Sequence, residues 1–137
     1  EGVCAVNHIK GIVEPLKFHL LPVNIYTSPE ISQIGLTEAE VKARNVPYKI
    51  SEFSLVHNAK ALARGSGEGI VRIIHETKYG EVLGVQMICE DATDLIAEAG
   101  VLLQMEGTVF DMAKTVHSHP TFSEIFMEAA GQAGQNL

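Results

Sequence analysis

Five runs of apolar and β-branched residues are separated by turn-forming residues in the first two thirds of the chain, and each has the length of a β-strand. The predicted strands cover residues 23–27, 31–36, 48–56, 70–77 and 82–89. The last two flank Lys78, Tyr79 and Gly80, which predicts an antiparallel hairpin. Apolar residues such as Ile73 and Ile74 lie on both of its faces, so helices or a partner subunit should cover the sheet on each side.

A first helix is predicted directly after the second strand. Thr37 and Glu40 have the spacing of a capping box, in which each side chain accepts a hydrogen bond from the backbone amide of the other residue. Asn45 and Pro47 are typical of a helix end. After the third strand, a glycine-containing loop at residues 65–69 leads to the hairpin.

The last third of the chain has helical periodicity. Asp91 and Thr93 open a long helix, and Gly107 is suited to a left-handed C-cap. Its apolar stripe consists of Leu95, Ile96, Ala99, Leu102 and Leu103. Two shorter helices are predicted to begin at the pairs Thr108 with Asp111 and Thr121 with Glu124.

Strands therefore precede helices, which predicts an α+β fold: an antiparallel β-sheet of about five strands flanked by helices. Residues 1–22 show no sustained period and are interpreted as a connector, whereas residues 23–137 form one domain. A small, polar tail from Gly131 is predicted to fray.

Composition and charge narrow the functional classes. With 137 residues, 46% hydrophobic and 20% charged, the chain suits one ordinary soluble domain. No apolar run approaches the roughly 18 residues of a membrane-spanning helix. The net charge of −7, with scattered Lys and Arg, argues against nucleic acid as a partner. The chain begins without Met and without a secretory signal, which favours excision from a longer protein.

The two cysteines, Cys4 and Cys89, lie far apart and have neither CxxC nor CxxxxC spacing. They are predicted to be reduced, buried thiols.

The segment His-Ser-His-Pro-Thr-Phe-Ser-Glu, residues 117–124, carries the candidate chemistry. Pro120 restricts His119 to an extended conformation immediately before a predicted helix. Glu124 lies about one turn into that helix, so its carboxylate can reach back to one nitrogen of His119. A carboxylate that orients a histidine and stabilises its imidazolium form is a common acid–base arrangement.

Two other interpretations compete with this one. Glu124 also completes a capping box with Thr121, and on spacing alone the cap is the better supported role. His117, His119 and Glu124 could instead form a metal site of two histidines and one carboxylate. The remaining histidines have no partner at motif spacing and are interpreted as ordinary surface or strand residues; they are His8, His19, His57 and His75.

The segment at 117–124 closely resembles the HxHPTxSE signature near the C-terminus of flavin-dependent pyridine nucleotide-disulfide oxidoreductases. Residues 25–41, IYTSPEISQIGLTEAEV, resemble the opening of this family's dimerisation domain, and the VLGVQMI strand resembles its central hairpin. The helix at 94–104 is similar to the one that follows. The resemblance covers nearly all of the chain from residue 23, and residues 1–22 resemble the trailing segment of the flavin domain and its connector.

The resemblance implies a role for each residue of the motif. His119 becomes the catalytic acid–base and Glu124 its orienting partner, while His117 is a secondary active-site residue. His119 and Pro120 would lie against the flavin of the opposite subunit, with a cis peptide bond between them. The presence of His117 favours the dihydrolipoamide dehydrogenase branch over the glutathione reductase branch, because the latter generally lacks this first histidine.

The resemblance further implies a homodimer that uses FAD and NAD and acts on dihydrolipoamide of 2-oxo acid dehydrogenase complexes, in bacterial cytoplasm or the mitochondrial matrix. The family's GxGxxG and CxxxxC motifs are absent from these 137 residues, so the isolated chain is predicted to bind no flavin and to be inactive. Two alternatives remain at this point: the dimerisation domain of another disulfide reductase, such as a glutathione reductase, and a purely structural dimerisation module.

Overall fold

The computed structural model describes residues 2–13 and 16–134, and a five-stranded sheet lies at its centre. The strands are β1 (Val23–Ile25), β2 (Glu30–Gly35), β3 (Tyr48–Ser54), β4 (Ile70–Glu76) and β5 (Val82–Cys89). Their order across the sheet is β1-β2-β5-β4-β3, and every neighbouring pair is antiparallel. All five predicted strands are present, and no strand end differs from the prediction by more than two residues.

The helices follow the prediction in most places. They are α1 (Gly2–Ile9), α2 (Glu38–Ala43), α3 (Ala59–Arg64), α4 (Ala92–Gln104), α5 (Val109–Lys114) and α6 (Glu124–Gly134). Short 3-10 helices occupy Phe18–Leu20 and Leu55–His57. Complete capping boxes begin α2 at Thr37 and α5 at Thr108. The α+β class and the antiparallel sheet are therefore confirmed.

The main core lies between one face of the sheet and the helices α4, α5 and α6. Buried sheet residues such as Ile73 and Val85 pack there against Ile96 and Phe126 of the helices. On the opposite face, α2 covers one end of the sheet through Val41. The other end of that face carries a row of partly exposed isoleucines in register: Ile31, Ile88 and Ile70 on β2, β5 and β4.

Two helices lie where the sequence pattern predicts none. Residues 2–9 form α1, although 1–22 were interpreted as a connector without periodicity. None of the residues of α1 is buried, so no core imposes an apolar stripe on its sequence. α3 occupies part of the stretch between the third strand and the glycine loop; Asn58 caps its start, and Gly65, at φ 70°, provides the left-handed C-cap.

Two details at helix ends also differ from the prediction. The left-handed residue after α4 is Glu106, at φ 54°, and not Gly107. Gly107 is needed for space instead, because a Cβ there would overlap the side chain of Leu102. The predicted fraying from Gly131 is wrong as far as Gly134, because α6 continues that far and buries Ala133. The last three residues of the tail, 135–137, lie outside the described part of the chain.

Candidate functional site

The connection between α5 and α6, residues 115–123, carries both histidines of the motif. α5 ends at Lys114, and the chain then runs without regular helix or strand until α6 begins at Glu124. The peptide bond between His119 and Pro120 is cis, as the resemblance implies. The connection therefore presents His119 immediately before the first turn of α6.

Glu124 contacts the connection through both of its carboxylate oxygens. Oε1 lies 2.9 Å from Nδ1 of His119, and Oε2 accepts a hydrogen bond of 2.8 Å from the backbone amide of Thr121. The Thr121 hydroxyl donates to the carbonyl of Ser118 and lies 3.0 Å from the hydroxyl of Ser123. The same carboxylate thus accepts one of the two hydrogen bonds of a capping box and also contacts His119. The capping role and the role of orienting His119 are therefore compatible.

The electrostatics of this pair follow from its hydrogen bonds. The Thr121 amide, and then the bond with His119, lower the pKa of Glu124 below its ordinary value of 4.5. An ionised carboxylate can only accept hydrogen bonds, so Nδ1 of His119 carries a proton. The His119 side chain is 71% exposed and that of Glu124 only 15%. His119 can therefore exchange a proton with a bound molecule through Nε2 while Glu124 holds the ring.

His117 has a different environment. Its side chain is 6% exposed, with Nδ1 3.0 Å from the carbonyl oxygen of Thr115 and Nε2 2.8 Å from Oε1 of Glu98 in α4. A largely apolar cavity of about 600 Å³ between α4 and α5 ends at this pair. The sequence pattern did not identify Glu98, since nothing in its local spacing connects it with a residue 19 positions later.

The metal-site alternative has no geometric support. His117 pairs with Glu98, whereas His119 pairs with Glu124. Across residues 2–13 and 16–134, no three His, Cys, Asp or Glu side chains converge in a way that could hold a metal ion.

The helix α3 contacts the connection through its N-cap residue Asn58 and through Arg64. The side-chain amide of Asn58 donates 3.0 Å to the carbonyl oxygen of Thr121, while its oxygen accepts from the amide of Ala61 and caps α3. The guanidinium of Arg64 lies 5.2 Å from the ring centroid of Phe122. Asn58 and Gly65 are residue types typical of a helix start and a helix end, and they are the feature of the sequence that indicates α3.

The cysteines and the other histidines lie apart from the connection. Both cysteines are free thiols, but Cys4, predicted to be buried, is only partly so, because α1 has no buried face. Burial raises the pKa of Cys89 to about 12. His75 is a buried strand residue, whereas His8, His19 and His57 are exposed.

Comparison with known proteins gives consistent results. The family model described as "Pyridine nucleotide-disulphide oxidoreductase, dimerisation domain" matches residues 21–130. The chain is 41% identical over 131 residues to the dihydrolipoyl dehydrogenase of Bacillus subtilis (strain 168), which covers 95% of this chain and 28% of that protein. It is 37% identical over 130 residues to the mitochondrial dihydrolipoyl dehydrogenase of Pisum sativum, covering 95% of this chain and 26% of that protein.

A solved structure agrees with these relatives. The crystal structure of LpdA from Mycobacterium tuberculosis superposes with a TM-score of 0.87 at 28% identity, covering 96% of this chain and 29% of that one. Nowhere in the described ranges is a helix both long and apolar enough to cross a membrane. The chain spans less than a third of the length of these relatives. It belongs to the dimerisation-domain family of the pyridine nucleotide-disulphide oxidoreductases and is similar to the corresponding part of dihydrolipoyl dehydrogenases.

Proposed function

We propose that this chain is the C-terminal dimerisation domain of a dihydrolipoyl dehydrogenase and supplies His119 and Glu124 as the acid–base pair for oxidation of dihydrolipoamide. Residues 1–22 are then the trailing segment of the flavin domain and its connector, and 23–137 the dimerisation domain. The active form is a homodimer with FAD and NAD, working with the lipoyl domains of 2-oxo acid dehydrogenase complexes in bacterial cytoplasm or the mitochondrial matrix.

The observation that carries the proposal is the hydrogen bond of 2.9 Å between His119 and Glu124. Oxidation of a dithiol to a disulfide releases two protons and two electrons, so the site needs a base that accepts a thiol proton. Nε2 of His119 serves as that base, and the Glu124 carboxylate stabilises the imidazolium that results. FAD and NAD, held by the intact enzyme, would supply the acceptors for the two electrons.

The residues of the connection also fit contact with a flavin held by a partner subunit. The side chains of Val116 and His119 are 93% and 71% exposed, so the chain itself leaves this edge open. Exposed residues of this kind can be covered by a second subunit, and His119 and Pro120 are the residues that would face the flavin there. His117, two residues before His119, belongs to the same region as a secondary contributor.

The test is the reductive half-reaction in an intact enzyme that carries this domain. His119→Gln and Glu124→Gln are each expected to lower the rate of flavin reduction by dihydrolipoamide about 10²-fold or more, the usual scale of general acid–base catalysis. The double variant should be no slower than His119→Gln, because residues that act as a unit are not additive. Stopped-flow absorbance of the flavin measures all three rates.

Glu128→Gln provides the matched control, since this glutamate is exposed and lies one turn further along α6. Its rate should equal that of the wild type. A wild-type rate in Glu124→Gln would leave Glu124 with the capping role alone, and a wild-type rate in His119→Gln would refute the proposed base.

A further inference from the structure

The side chain of His117 ties the α5–α6 connection to the rest of the domain. It is 6% exposed, whereas Val116 just before it is 93% exposed and His119 just after it is 71% exposed. No regular helix or strand runs through residues 115–123, so side-chain contacts such as those of Asn58 and Glu98 help to fix the path of the backbone. The contacts of His117, two residues before His119, therefore contribute to where His119 lies.

The two atoms that contact the ring of His117 are both hydrogen-bond acceptors, so each of the two contacts needs a proton. The carbonyl oxygen of Thr115 can only accept, so Nδ1 must donate to it. A neutral imidazole would then have a bare lone pair at Nε2, 2.8 Å from a carboxylate oxygen of Glu98 that also only accepts. The contact is attractive only when a proton lies between the two atoms, which makes this a charge-assisted bond.

Glu98 lies in the middle of α4, a helix of 13 residues packed on the sheet, so it is a rigid anchor. Its side chain is 35% exposed and reaches His117 across the end of the cavity between α4 and α5. We propose that Glu98 is a positioning residue of the acid–base site: by binding the ring of His117, it holds the connection so that His119 stays within hydrogen-bond distance of Glu124. This inference rests on the proposed function for its effect on the reaction, but the ordering of the connection can be tested without it.

A second effect links the two histidine–glutamate pairs. The amide of Thr121 and the bond from His119 are the main causes that lower the pKa of Glu124, and the charge of His117 adds to them. The ring that Glu98 holds is thus close enough to influence the carboxylate that orients His119.

Two substitutions of Glu98 separate the length of the side chain from its charge. Glu98→Gln keeps the length, and its amide can donate to Nε2 of a neutral His117, so the connection should keep its position. Glu98→Asp keeps the charge but is one methylene shorter, so it cannot reach Nε2 from the same backbone position. Glu128→Asp, at an exposed position of α6, is the control for the lower helix propensity of aspartate.

The first measurement is NMR of the histidine rings in this chain. In the wild type, Nε2 of His117 is expected to show the hydrogen bond with Glu98, and Nδ1 of His119 the hydrogen bond with Glu124. Glu98→Gln should keep a hydrogen bond at Nε2 of His117 and leave the His119 signals in place. Glu98→Asp should shift or broaden the signals of both rings, and Glu128→Asp neither.

The second measurement is flavin reduction by dihydrolipoamide in the intact enzyme. Glu98→Asp is expected to lower the limiting rate about 10-fold, because small misplacements of a catalytic group are costly, while Glu98→Gln stays within about 3-fold of the wild type. If Glu98 has only a structural role, both variants should lower the unfolding midpoint and leave the His119 signals and the rate unchanged. That result overturns the proposal. The positioning role and the catalytic function can fail separately. If Glu98→Asp loses the hydrogen bond of His119 while His119→Gln keeps the wild-type rate, the positioning role of Glu98 is upheld and the catalytic function of His119 is refuted.

Discussion

Two histidine side chains of this domain are almost inaccessible to solvent and have different hydrogen-bonding partners. Nε2 of His75 lies 3.2 Å from the hydroxyl of Ser51, which can either donate or accept, and its Nδ1 lies 3.4 Å from a backbone carbonyl. One proton therefore satisfies the ring of His75, and the neutral form fits. His117 faces a carbonyl and a carboxylate, which both accept. The two rings therefore have different hydrogen-bonding partners, and those of His75 agree with the neutral form that burial favours.

His75 provides a prediction about acid stability. Burial is the largest cause that lowers the pKa of His75 below the ordinary value of 6.5; the nearby Lys49 also lowers it, and the backbone and charge of Glu76 oppose this. As the pH falls through 6.5, the unfolded chain takes up a proton that the folded ring resists, so stability should fall until the folded pKa is passed.

Urea denaturation at pH 7.5 and 5.5 measures this loss. His75→Gln should show a smaller loss between the two values than the wild type, because the titrating ring is gone. His57→Gln is the control, since His57 is exposed. An equal loss in His75→Gln and the wild type would show that other groups cause it.

At the scale of the elements, side chains from distant strands and loops complete the helix ends. Asp91 occupies the N-cap position of α4 at φ 60° without a capping bond. The carboxylate of Glu30 in β2 accepts instead from the amide and the hydroxyl of Thr93, at 2.8 and 2.7 Å. Asn58 similarly joins the start of α3 to the segment before α6. Helix ends and sheet are therefore held in one framework around the candidate site.

The two functions of Asn58 can be separated by substitution. Asn58→Ala removes both the cap of α3 and the bond to the Thr121 carbonyl, whereas Asn58→Asp keeps an acceptor for the cap and loses only the donor. Loss of the cap alone costs about 0.5–2 kcal/mol, so Asn58→Ala should be the less stable by about that amount.

Chemical denaturation gives the free energy of unfolding of both Asn58 variants. In NMR spectra, both should shift the amide signal of Phe122, which shares a peptide group with the Thr121 carbonyl, because both lose the bond to that carbonyl. Equal stabilities would mean that the side chain contributes little to capping α3.

At the scale of the whole molecule, two of the apolar surfaces that remain uncovered lie on the sheet and on α4. One is the isoleucine row at the open end of the sheet, where Ile31, Ile70 and Ile88 are 36–40% exposed. The other is the outer side of α4, where Val101 and Met105 are 66% and 76% exposed. Contiguous apolar surface of this kind marks interaction sites, and the family is that of a dimerisation domain. A second subunit is the expected partner.

The chain is therefore expected to associate as a two-fold dimer that buries well over about 1,000 Å² in total. Sedimentation should show the dimer at high micromolar concentration. Ile88→Lys and Met105→Lys each place a charge in one of the two surfaces, and at least one should dissociate it. Tyr79→Lys, at an exposed hairpin turn, is the control. A strictly monomeric wild-type chain would count against both surfaces.

The sequence by itself determined the features that depend on residues close together along the chain. Alternating and β-branched residues predict all five strands, because every second side chain of a strand points to the same face of the sheet. Capping boxes predict α2 and α5, since both partners lie within one turn. The spacing of His119 and Glu124 around Pro120 permits their contact, but spacing alone favours the cap, and the acid–base role follows from the resemblance to the family.

Only the tertiary structure decided the contacts that cross between elements. Glu98 meets His117 after 19 residues, and Asn58 meets the Thr121 carbonyl after 63. No local period encodes such pairs, because they exist only once α3 and α4 have packed against the sheet. The same reasoning applies to α1, which has no buried face to impose a pattern. The sequence therefore determined which residues carry the candidate chemistry, and the packing of helices on the sheet decided which others hold them in place.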